Sequence, residues 1–159
     1  YEEHAPLMRF FKDSGLPSPK AFNTAAELVL NGSLRRAFEN EQFDLEVIES
    51  LLKEAKEEGV ILDAATLEFS IRKKLEHMAK RFSADPIKLS QLQELESAVS
   101  LVRSLPFQVN LWKVQNICYE ILQSMHPDLL QKAEEGDKTS QEWIKHFKTL
   151  AGSLSLRIS

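Results

Sequence analysis

Between Asn110 and Gln123 the chain carries aromatic and amide side chains at helical spacing with no charge among them. Trp112, Gln115, Asn116, Tyr119 and Gln123 fall at i, i+3, i+4, i+7 and i+11, which places them on one face of a helix. A solvent face normally uses Lys and Glu, as the other amphipathic stretches here do. Amides both donate and accept hydrogen bonds, and the two rings offer flat apolar faces with a polar tip. Trp112, Gln115, Asn116 and Tyr119 are therefore the candidate contacts for a sugar or for a wet protein interface. The alternative is that Trp112 and Tyr119 complete the chain's own core while Gln115 and Asn116 hydrogen-bond to neighbouring loops.

Other residue types that carry chemistry are sparse or badly spaced. His4, His77, His126 and His146 are scattered, none in an HExxH arrangement, and Glu142 is the one carboxylate at helical spacing from any of them. One such pair supplies too few ligands for a metal. Cys118 falls with Val114, Ile121, Leu122 and Met125 on the apolar side of its helix, where a thiol is buried and inert. The chain has no GxSxG elbow and no Gly-rich phosphate loop. Carboxylates such as Glu54, Glu57 and Glu58, or Glu94 and Glu96, sit among Lys and polar residues, and a glycosidase needs two carboxyls flanking one cleft. A second aromatic face, Tyr1, His4, Met8 and Phe11, is expected to be core. No catalytic residue, cofactor site or metal site is assigned.

The elements that must position these groups are helical almost throughout. Leu7, Met8, Phe10 and Phe11 belong to a first helix ended by Ser14, Gly15 and Pro17, and Ser18 with Pro19 restarts the chain as a helix. Ala21, Phe22, Ala25, Leu28, Val29, Leu34 and Phe38 continue a stripe, with a kink or break expected near Asn31 and Gly32. Asp44 can cap a helix whose core face is Leu45, Val47, Ile48, Leu51, Leu52 and Ala55, and Gly59 stands where a left-handed C-terminal cap belongs. Asp63 caps a long helix through Leu67, Ile71, Leu75, Met78, Ala79 and Phe82. Asp85 and Pro86 start the next, with Leu89, Leu92, Leu95, Ala98, Val99 and Val102, ended by Pro106. Asn110 caps a helix from Leu111 to about Met125. His126 and Pro127 bend or stop it, and a short continuation reaches Gly136. A last helix covers about Thr139 to Leu150. Leu154, Leu156 and Ile158 then alternate with Ser153, Ser155 and Arg157, the period of a half-buried strand. That tail either docks in a helix groove or pairs with strands elsewhere in a parent protein. No fixed-period repeat is present.

The fold class expected is all-α, an irregular bundle of about seven helices with a short C-terminal strand, forming one domain over residues 1–159. Composition agrees: 43% apolar and 28% charged residues with only 5 Gly and 6 Pro exclude a disordered or low-complexity chain. No apolar run approaches a membrane span. A lone cysteine fits a reducing, cytoplasmic setting. Twenty Lys+Arg against 24 Asp+Glu, a net charge of -4, argue against a nucleic-acid partner. The chain begins at Tyr1 rather than methionine, and Glu2, Glu3 and His4 read as the inside of a helix. A piece of a larger protein is the expectation.

Four phrases carry a family resemblance: EEHAPLMRFF, LPSPKAFNTAAELVLNGSLRRAFE, GVILDAATLEFSI and LPFQVNLWKVQNICYEIL. Together they resemble a bacterial and archaeal helical domain of unknown function that follows the catalytic barrel in proteins of the glycoside hydrolase family 57 type. That group contains α-amylase-like, α-mannosidase-like and glycogen-branching enzymes. The likeness runs from Tyr1 to about Ile158 and is most specific in the AAELVLN and LW-x-x-QN phrases. It implies an accessory domain that packs on the upstream barrel of the same polypeptide and helps to line an α-glucan cleft, with the catalytic Glu and Asp on the barrel. No catalytic residue maps onto this chain, and Trp112, Gln115 and Asn116 match as motif positions without an assigned role. A free-standing helical protein-interaction module, using the same face, is the alternative.

Overall fold

The computed structural model describes residues 2–15 and 20–157, apart from the Met8 side chain. Among these residues there are seven helices and no strand: α1 (Ala5–Asp13), α2 (Lys20–Glu39), α3 (Leu45–Glu57), α4 (Ala64–Ala84), α5 (Leu89–Arg103), α6 (Trp112–Glu134) and α7 (Lys138–Ser153). They group into two compact units, residues 1–70 and 71–159, with the division falling inside α4.

In the first unit α2 packs on α3. Ala26, Leu30, Leu34 and Phe38 form the buried row of α2, four residues apart, and Ile48 and Ala55 are buried on α3. Leu28 and Val47, which the apolar pattern includes in the core faces, are instead 77% and 46% exposed. At 100° per residue Leu28 and Leu30 point in nearly opposite directions, so only one of them can face α3. The expected break at Asn31 and Gly32 does not occur, and α2 runs through both. Asn31 is occupied in tertiary bonding: its amide nitrogen donates to the Ile61 carbonyl (3.0 Å) and, within the helix, to that of Glu27 (2.8 Å). Its oxygen accepts from the Asp63 amide (2.7 Å). One side chain thus fastens the α3–α4 connection to α2. Asp44 caps α3 through the Val47 amide and Asp63 caps α4 through the Thr66 amide, as their positions require. Gly59 closes α3 at φ +66°, with its own amide on the Lys56 carbonyl and that of Val60 on the Ala55 carbonyl, the paired bonds of a Schellman motif. The restart at Ser18 and Pro19 lies outside the described residues. So do Tyr1 and the Met8 side chain of the N-terminal aromatic face; of its other members His4 is exposed and Phe11 half-buried.

In the second unit α7 packs on both α5 and α6. Its buried row is Trp143, Ile144, Phe147, Leu150 and Ala151. Trp143 stacks on Phe147, one turn on, at 4.7 Å between centroids and 6° between planes. The Trp143 indole donates to the Pro86 carbonyl (2.7 Å). That carbonyl sits in a turn at residues 85–87, so α5 begins at Leu89 and not at Asp85. From Ile71 onward α4 buries Ile71, Leu75, Met78, Ala79 and Phe82, and α5 buries Leu92, Leu95, Ala98, Val99 and Val102, as their spacing predicts.

Two further expectations are corrected here. Pro127 does not stop α6, which continues to Glu134 with Pro127 inside it. Its side chain lies on the exposed face, where one missing backbone bond is tolerated. The alternating tail is not a strand. Ser153 is the last residue of α7, Leu154 is fully buried, and Ser155 turns the chain at φ 60°. The Ser155 amide bonds to the Gly152 carbonyl and that of Leu156 to the Ala151 carbonyl. The alternation arises because a left-handed helix ending buries the residue before it and folds the one after it back. Ile158 lies outside the described residues.

Candidate functional site

The uncharged face of α6 begins where three helix ends meet. Helices end with carbonyls that have no partner within the helix and with partial negative charge. At the end of α7 side chains from two neighbours meet both: Arg103 of α5 donates through Nε to the Ser153 carbonyl (2.6 Å), and Gln115 of α6 donates through Nε2 to the Leu154 carbonyl (3.0 Å). Asn110 takes the Trp112 amide on its side-chain oxygen (3.0 Å), one residue outside the first turn of α6. The start of α6 is thereby held against the end of α7, to which α5 is also fastened.

On this frame Trp112 is 64% exposed and Tyr119 is 48% exposed, with Asn116 also at the surface between them. Gln123 donates to the Tyr119 hydroxyl (2.6 Å), which fixes the ring on the helix surface. Val114, Cys118 and Ile121 occupy the opposite, buried side. The reading in which Trp112 and Tyr119 complete the core is therefore overturned. Gln115 separates from the other three, half-buried and engaged with α7, so it positions the face while Trp112, Asn116 and Tyr119 form it. Trp112 and Tyr119 are seven residues apart, about 10 Å along the helix at its usual rise. The loop that leads into Trp112 encloses an open cleft of about 540 Å³ with Leu105, Phe107, Val109 and Leu111 in its wall.

Three further titratable groups are set by their surroundings. Cys118 is fully buried and burial pushes its thiol up to about 12, which removes the reactive thiolate at neutral pH. Glu76 of α4 is buried among cations: Lys73 (3.7 Å), Arg72 (3.8 Å) and Lys113 of α6 (3.9 Å). Charge that would be costly to bury is balanced there, and the first turn of α6 is tied to α4. His146 of α7 meets Glu96 of α5 through Nδ1 at 2.6 Å, with Gln93 at 3.2 Å and Glu142 at 3.6 Å from Nε2. The spacing of Glu142 and His146 is legible along the chain. Glu96 is not, because only the packing of α7 on α5 brings it to the ring. Among the described residues no three His, Cys, Asp or Glu side chains are grouped so as to hold a metal ion, and no helix is long and apolar enough to cross a membrane.

Comparison with protein-family models, curated proteins and solved structures returns no match for the chain.

Proposed function

We propose that this chain is a non-catalytic helical accessory module whose Trp112, Asn116 and Tyr119 face contacts α-glucan. Its partner is a catalytic barrel of the glycoside hydrolase family 57 type in the same polypeptide. The observation that carries this reading is an exposed stripe of two aromatic rings and an amide, itself uncharged and bordered by Lys113 and Glu120, held by a hydrogen-bonded frame. Aromatic rings receive the apolar face of a pyranose while amides bond its hydroxyls. The separation of the rings suits an oligosaccharide rather than a single sugar. The resemblance carried by the four phrases, most specific in AAELVLN and LW-x-x-QN, is what points to the barrel and to the glucan.

Native electrophoresis through gels containing soluble starch tests the sugar contact. Wild-type protein should be retarded and Trp112→Ala should not, whereas equal mobility with and without starch contradicts it. The barrel is tested by sequencing the reading frame upstream of the Tyr1 codon. Barrel-encoding sequence with its Glu and Asp motifs supports the reading. A frame opening at Tyr1 replaces it with a free-standing interaction module.

A further inference from the structure

His126 lies in the seam between α6 and α7 and is used by nothing described so far. It is 5% exposed. Its ring is 6.3 Å from that of Phe147, which in turn stacks on Trp143. Its Nε2 is buried with no hydrogen-bond partner among the described residues. A neutral imidazole tolerates this, because Nε2 can be the nitrogen without a proton. The imidazolium cannot, since both nitrogens then carry N–H groups and one would be buried without an acceptor.

The charged surroundings act in the same direction. Lys148 of α7 is the charged group that bears on the ring. Of the other titratable groups on that stretch of α7, Lys145 is exposed, and Glu142 and His146 are turned toward each other and to Gln93 and Glu96 of α5. On α6 itself the residues three and four positions away are Leu122, Gln123, Leu129 and Leu130, none of them titratable. Burial and Lys148 together hold the His126 imidazole below its ordinary value of 6.5. The following residue, Pro127, has no N–H for the Gln123 carbonyl, so the backbone of α6 lacks one hydrogen bond beside this ring.

We propose that His126 is an acid-sensitive latch between α6 and α7: neutral, it fills the seam; protonated, it separates the two helices. The sign follows from linkage. The unfolded chain takes up the proton more readily than the folded one, so the contribution of this ring is fully present at pH 7.5 and is lost as pH falls through and below about 6.5. The inference is independent of sugar binding.

Trp143 reports the opening, because it stacks on the ring that His126 meets. In a Trp112→Phe background Trp143 is the sole tryptophan. Its emission should shift to the red and become more accessible to acrylamide between pH 7.5 and 5.5. The added variant His126→Gln should abolish this response, and the exposed-histidine control His77→Gln should leave it intact. An acid response that persists in His126→Gln, or no response in the parent, overturns the latch. Should His126→Gln fail to fold, NMR titration of the His126 ring in wild-type protein is paired with amide protection in α6 and α7. Protection that falls as the ring protonates supports the latch, and unchanged protection overturns it.

Discussion

The two tryptophans stand in opposite environments, and that contrast sets the sharpest predictions at the residue scale. Trp143 is 2% exposed, stacked and hydrogen-bonded, whereas Trp112 is 64% exposed. Trp143→Ala should cost about 3–5 kcal/mol in urea unfolding. Trp112→Ala should change stability by less than about 0.5 kcal/mol, and a loss as large as that of Trp143→Ala would return Trp112 to the core. Cys118 supplies an independent check of burial. A thiol-specific reagent at neutral pH should leave it unmodified in the native protein and label it fully in urea, because burial holds the thiol near 12. Of these residues, the burial of Cys118 was legible in its apolar neighbours at helical spacing. The environment of Trp112 was not, since an aromatic at the start of a helix suits a core and an interface equally. Glu96 could be read only as a solvated carboxylate, because its partner His146 lies fifty residues on.

At the scale of elements, local chemistry was the legible part. Asp44, Asp63 and Gly59 act where their positions placed them because a cap depends on residues within one turn. Pro127, Asn31 and the Ser153–Arg157 alternation misled. At Asn31 and in the tail tertiary contacts decided the backbone, since Asn31 bonds the α3–α4 connection and Leu154 is buried at the end of α7, while α6 continues through Pro127 because that ring lies on its exposed face. Two of the left-handed endings give opposite mutational signs. A Cβ at Gly59 would touch nothing within 4 Å, so Gly59→Ala isolates the backbone cost and should lower stability by about 1 kcal/mol. Ser155 holds the same region without being glycine, at φ 60°. Ser155→Gly should therefore raise stability by up to about 1 kcal/mol. Chemical denaturation of both variants checks the pair, and equal signs would contradict the two Schellman endings.

For the whole molecule, seven helices follow from apolar periodicity and punctuation that the chain states plainly. Their grouping into residues 1–70 and 71–159 was not legible, because α4 carries one unbroken apolar row across the division. The second unit gathers the features that bear on function: helix ends tied by Arg103 and Gln115, and an uncharged aromatic face outside them. The role proposed for this face is contact with α-glucan. Tryptophan emission followed during titration with maltoheptaose is the decisive test, since of the two indoles only Trp112 is at the surface. A saturable change is expected in wild-type protein and none in Trp112→Phe. An unchanged spectrum up to millimolar sugar, or an equal change in both proteins, would contradict it.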